Sequence, residues 1–196
     1  MIGQSNINKE KVQVKDLTFT WSNFISLTRI FIAAPVIYMH YTNGHRITLP
    51  ITILIIYGVL SDYLDGYVAR KTNNVTEWGK ALDPIADKVT AFFLFAYTVY
   101  IGWIPLWFFV VGVVRDALIL GGSAYIQQTK GKVAMAIMSG KVSVNALAAY
   151  WISVFFFPGA TGFQHFFMGC SLVLMIFSFF DYFHRFNQIR KGLDFN

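Results

Sequence analysis

Long apolar runs and short polar connections alternate along the chain. Six runs fall at roughly 24–41, 49–67, 84–101, 105–124, 142–157 and 163–183. Most are near the ~20 residues an α-helix needs to cross a bilayer; the fifth is the shortest. The connections read HYTNGHR, a motif-bearing loop, GWIP, QQTKGK and PGATG in order. Upstream, residues 8–20 set Val12, Val14 and Leu17 against Lys9, Lys11 and Lys15. That alternation suits a short amphipathic helix lying in the interface, with a polar tail as the alternative. The expected architecture is an all-α integral membrane protein with six transmembrane helices. An N-terminal interfacial segment (1–22) precedes them, and one membrane domain spans 1–196.

Composition agrees and changes how the charge is read. Hydrophobic residues make up 56% of the chain and charged residues 13%. The net charge of +6 is sorted by side. Lys9, Lys11 and Lys15 precede the first run; Arg70, Lys71 and Lys80 lie in the second connection; Lys130 and Lys132 lie in the fourth; Arg185, Arg190 and Lys191 follow the last. Of the alternate loops only the first carries a basic residue, Arg46. An even number of spans, with both termini and the motif loop cytoplasmic, satisfies the positive-inside rule. The basic balance therefore points to a membrane and not to nucleic acid. The polar N-terminus lacks the order of a cleavable signal peptide. Cys170, the lone cysteine, allows no intramolecular disulfide and suits packing.

Four of the ten acidic residues fall within 26 positions, at Asp62, Asp65, Asp83 and Asp87. On a helix, Asp62, Asp65, Gly66 and Ala69 take i, i+3, i+4 and i+7 and share one stripe. Gly79, Asp83 and Asp87 repeat an i, i+4 spacing on a second helix. Each ionisable residue in a span costs ~2.5–3.5 kcal/mol on insertion scales, so the four together cost on the order of 10 kcal/mol before repulsion. Divalent cations held by oxygen ligands offset this directly. A dinuclear cationic centre would bind a diphosphate ester and stabilise charge developing on it.

The full pattern Asp62-x2-Asp65-Gly66-x2-Ala69-Arg70-x8-Gly79-x3-Asp83-x3-Asp87 resembles the signature of the CDP-alcohol phosphotransferases. These membrane enzymes move a phosphatidyl or similar group from a CDP-linked donor to an alcohol. Asn23-x2-Ser26-x2-Arg29 resembles the Asn-x2-Thr-x2-Arg opening of their first span, with Ser keeping the hydroxyl. Leu82 to Lys88 is most similar to the glycerophosphate-using members, phosphatidylglycerophosphate synthases, and to the related cardiolipin synthases. Arg115-Asp116 resembles the Arg-acidic pair of the glycerophosphate enzymes. Gly140-Lys141 resembles their Gly-Lys segment, although Val-Ser-Val-Asn after it departs from the family's continuation.

The resemblance implies six spans, a homodimer, and two Mg2+ ions, with Mn2+ the alternative, on Asp62, Asp65, Asp83 and Asp87. Asp87 would also be the general base. Asn23, Ser26, Asp62, Gly66, Ala69, Arg70 and Gly79 would bind the CDP donor, and Arg115, Lys132 and Lys141 the acceptor phosphate. The implied reaction moves the phosphatidyl group of CDP-diacylglycerol to glycerol 3-phosphate, releasing CMP, at the cytoplasmic side of a bacterial inner membrane. The alternatives are another acceptor (phosphatidylglycerol, inositol phosphate or serine) or a different class, a cation channel or carrier lined by the aspartates. Plainer readings compete residue by residue. Gly66 suits helix packing, Lys80 and Lys88 suit anchoring, and Arg115 suits an ion pair with Asp116 or Asp181. The four histidines read as loop or interfacial side chains, and Trp103, Trp107 and Trp151 as belt residues. Pro84 either kinks the third span or sits in its first turn.

Overall fold

The computed structural model describes the backbone of residues 21–72, 77–130 and 137–191, and their side chains outside 21–27, 62–72, 77–85 and 130. It is all-helical over those residues: α1 (Trp21–Thr42), α2 (Leu49–Thr72), α3 (Glu77–Tyr100), α4 (Leu106–Lys130), α5 (Met138–Phe156) and α6 (Thr161–Arg190). Each apolar run falls on one helix. The segment 8–20 and the expected interfacial helix lie outside the described residues.

Several helices overrun their apolar runs. α3 begins at Glu77, so Pro84 sits inside the helix and not in its first turn. α4 continues to Lys130, which makes Gln127–Lys130 helical where the sequence suggested a connection. Hydropathy marks where the chain is apolar, whereas the i→i−4 ladder continues until something stops it. Two stops are explicit. After α1 the Gly44 N–H donates to the Tyr41 carbonyl and the His45 N–H to that of His40. After α3 the Gly102 N–H donates to Val99 and the Trp103 N–H to Thr98. Both are Schellman closures with glycine at φ +65° and +78°, the left-handed position where a Cβ is penalised.

The chain divides into two compact units, Met1–Leu94 and Phe95–Asn196. In the first, α1 packs on α2, and Ala33, Val36, Ile51 and Ala86 are buried together with His40, Ser61 and Arg29. In the second, both α4 and α5 pack on α6. Phe108 meets Tyr150 edge-on at 4.8 Å between centroids, and the Ser171 hydroxyl donates to the Ala146 carbonyl at 2.8 Å, joining α6 to α5. Small and hydroxyl side chains at such contacts let helix backbones approach where no water drives association.

Two sequence expectations change here. Trp151 is a core residue, 6% exposed and stacked on Phe155, not a belt residue. His40 is fully buried in the last turn of α1 beside His45, because the closure at Gly44 folds the loop back over it.

The outside of the helices is apolar. Phe31, Leu49, Tyr100, Phe166 and Phe177 are each more than 60% exposed. Among the described residues, Leu106–Thr129 and Thr161–Arg190 are long and apolar enough to span a membrane, and only 11% and 17% of their apolar windows are buried. A core helix of a soluble domain would be mostly buried; these present their apolar surface outward, as lipid requires.

Candidate active site

Helix α2 carries Asp62, Asp65, Gly66, Ala69 and Arg70 on continuous helical backbone, so the i, i+3, i+4, i+7 stripe exists as the spacing predicts. Helix α3 carries Gly79, Asp83 and Asp87 one turn apart. The side chains of Asp62, Asp65 and Asp83 lie outside the described residues, as do those of Asn23, Ser26, Gly66, Ala69, Arg70 and Gly79. Among the described residues no three His, Cys, Asp or Glu gather into a metal cluster; of the four aspartates, only Asp87 has a described side chain.

Asp87 is held from another helix. The guanidinium of Arg29 on α1 donates through Nη1 to the Asp87 Oδ1, forming an ion pair whose Arg side chain is 5% exposed and whose Asp side chain is 46% exposed. One turn further along α3, the Thr90 hydroxyl donates to the main-chain carbonyl of Arg29 at 3.1 Å, and also lies 2.9 Å from that of Ala86. Ala86, between them, is fully buried. The contact therefore joins α1 to α3 at both the side chain and the backbone of Arg29. In the sequence Arg29 is only the end of the Asn23-x2-Ser26-x2-Arg29 pattern. The signal was there: an arginine inside an apolar run is expensive without a partner.

The donor set suits the implied metal. Four carboxylates, all hard oxygen donors, are the ligand type that Mg2+ or Mn2+ takes in preference to nitrogen or sulfur. The one described carboxylate among them is half-exposed, not sealed into the core.

The residues expected at the acceptor phosphate fare differently. Arg115 on α4 is 8% exposed. Its Nη1 donates to Asp116 at 2.6 Å and its Nη2 to the Ser178 hydroxyl of α6. Its ion partner is thus Asp116 and not Asp181, which accepts instead from the Ser139 hydroxyl. Lys141 is exposed in the first turn of α5. Lys132 lies outside the described residues. The start of α5 is pinned to α6: the Ile137 N–H donates to the Tyr182 hydroxyl at 3.3 Å, and a Cβ on Gly140 would lie 2.8 Å from that oxygen.

Fold and site together define a helical integral membrane protein whose consecutive helices α2 and α3 carry four aspartates at helical spacing. A family model described as CDP-alcohol phosphatidyltransferase matches residues 19–177, and the chain belongs to that family. Several relatives bear the name CDP-diacylglycerol–glycerol-3-phosphate 3-phosphatidyltransferase. One from Aquifex aeolicus is 38% identical over 110 residues, 54% of this chain and 60% of that protein. One from Mycoplasma pneumoniae is 34% identical over 144 residues, 62% of this chain and 63% of its own length. One from Bacillus subtilis is 37% identical over 94 residues, 48% of each. The matched stretches thus span about half to just under two thirds of these relatives.

Proposed function

We propose that this chain transfers the phosphatidyl group of CDP-diacylglycerol to glycerol 3-phosphate, giving phosphatidylglycerophosphate and CMP, with Mg2+ as cofactor. The observation that carries the reading is the complete four-aspartate signature on the helices α2 and α3, inside the region that matches the family; the relatives' shared name supports the choice of acceptor.

Asp62, Asp65, Asp83 and Asp87 would hold two Mg2+ ions. When bound, these supply positive charge against the donor's diphosphate and the charge that develops on it. Asn23, Ser26, Gly66, Ala69, Arg70 and Gly79 surround the donor in this reading, with the glycines and Ala69 leaving room for close approach and Arg70 able to grip a phosphate through its fork. Arg115, Lys132 and Lys141 serve the acceptor's phosphate. The acceptor hydroxyl oxygen forms a bond to the donor's β-phosphorus, the bond from that phosphorus to the oxygen shared with the α-phosphate breaks, and CMP leaves with that oxygen. The hydroxyl proton passes to the Asp87 carboxylate. Six spans, a cytoplasmic active site in a bacterial inner membrane and a homodimer complete the proposal, supported by the charge sorting and by the resemblance.

The test is CMP release by purified protein with CDP-diacylglycerol and Mg2+, across glycerol 3-phosphate, phosphatidylglycerol, serine, inositol phosphate and no acceptor. Release that needs glycerol 3-phosphate and stops with chelator is expected. Asp87→Asn should lower kcat by about 10²–10⁴-fold, the range for a lost general base. Release with another acceptor would keep the chemistry and replace the acceptor. No release, with cation flux in liposomes, would replace the enzyme by a channel or carrier.

A further inference from the structure

We propose that Arg29 is a positioning residue for the transfer, orienting the Asp87 carboxylate from a buried seat on α1; this rests on the transferase reading above. The pair is lopsided in exposure. Arg29 is almost wholly buried, while the carboxylate it grips is 46% exposed. A half-exposed carboxylate returns little for burying its cation, so stability alone is a weak account of the pair. Here a cation is sunk in an apolar helix, which is costly, and what it holds in place is a half-exposed carboxylate.

Arg29 is itself fixed. The Thr90 hydroxyl bonds its main-chain carbonyl at 3.1 Å, so α3 supplies both the carboxylate that the side chain holds and a hydroxyl that holds its backbone. Sliding or turning α1 against α3 breaks one bond or the other. The guanidinium stays charged at any working pH, and its Nη1 holds Oδ1 from a rigid planar group. An accepting carboxylate must reach the proton it takes within ~2.6–3.2 Å. A misplacement of about 1 Å can cost about 10²-fold. Arg29 therefore acts on the reaction through Asp87, and does not touch the substrate.

A double-mutant cycle tests this: wild type, R29Q, D87N and R29Q/D87N, with R29K as the variant that keeps charge and loses the fork. The readouts are kcat, KM for each substrate, and Mg2+-dependent binding of CMP by calorimetry. R29Q should lower kcat by about 100-fold while CMP affinity stays within about threefold. R29Q/D87N should fall no more than about threefold below D87N alone, because two residues acting as one unit are not additive. R29K should lie between wild type and R29Q. Losses that multiply in the double variant, a parallel loss of CMP affinity and kcat in R29Q, or full activity in R29K would each overturn the positioning role. If R29Q does not accumulate folded, the cycle is run with R29K against D87N on the same criterion of non-additivity. A wild-type protein that releases no CMP overturns the transferase reading itself, whereas an active wild type with multiplying losses overturns only the role of Arg29.

Discussion

Two buried arginines, Arg29 and Arg115, occupy apolar helices and are satisfied in different ways. Arg29 donates through Nη1 to a carboxylate 58 positions away in sequence. Arg115 uses its neighbour Asp116 and the hydroxyl of Ser178, and its Nε is buried without a hydrogen-bond partner. An arginine held by one adjacent carboxylate and one hydroxyl has donor capacity left for an anion. That keeps the acceptor-phosphate role open chemically, although the sequence alone allowed the plainer pairing as well. The two roles separate kinetically. Arg115→Lys retains the charge but loses bidentate geometry, so steady-state assays should show KM for glycerol 3-phosphate raised by about tenfold with kcat within about threefold. If both KM values stay unchanged while the melting temperature in detergent falls, Arg115 is a tether between α4 and α6 only.

At the scale of elements, α5 comes close to α6 at Gly140. A Cβ there would sit 2.8 Å from the Tyr182 hydroxyl oxygen and 2.9 Å from its Cε2, and Tyr182 is already tied to the Ile137 N–H. Gly122 on α4 is different: its nearest neighbour, Phe186 Cδ2, would be 3.5 Å away, an ordinary contact. Gly140→Ala should therefore destabilise by about 1–3 kcal/mol, the usual cost of overpacking, while Gly122→Ala should be neutral or slightly stabilising through helix propensity. Thermal melting in detergent measures both. Combining Gly140→Ala with Tyr182→Phe should not restore stability, because the ring carbon stays; Tyr182→Leu should restore part of it. None of this was visible from composition, since one chain cannot say which glycine faces which ring. What the sequence did carry was periodicity. All six helices follow from apolar runs, and the aspartate stripes follow from i, i+3 and i+4 spacing on backbone that is helical throughout. Boundaries were less legible: at α3 the motif keeps the helix going seven residues upstream of Pro84. Partners were least legible. Trp151 looked like a belt residue by its place near a span end, yet it is buried and stacked on Phe155. Arg29 was readable as an expensive residue, but its partner lies on another helix far along the chain.

Over the whole molecule, the apolar exterior and the sorted charges make separate demands on the same chain. Exposed Phe, Leu, Ile and Val on α1, α2, α4 and α6 require lipid around them. Only two helices among the described residues meet the length and hydropathy of a span by themselves. Beyond Ser61, α2 carries the polar motif residues Asp62, Asp65 and Arg70. α5 spends Ser139, Gly140, Lys141, Ser143 and Asn145 in its first turns, two of them buried. Functional and packing residues thus dilute the hydropathy of helices that the charge pattern still treats as spans. Sidedness tests that interpretation directly. In a Cys170→Ser background, which removes the free cysteine, single cysteines would be placed at Asn43 in the exposed α1–α2 loop and at Lys191 after α6. With six spans and the basic connections inside, a membrane-impermeant maleimide should label position 43 in intact cells, and position 191 only after permeabilisation. Labelling of both from outside would mean an even number of crossings between them, and six spans would fall. The aspartate motif would then have to be placed by its own reporter, a cysteine at Thr72, and the cytoplasmic donor would be accessible only if that reporter stayed protected.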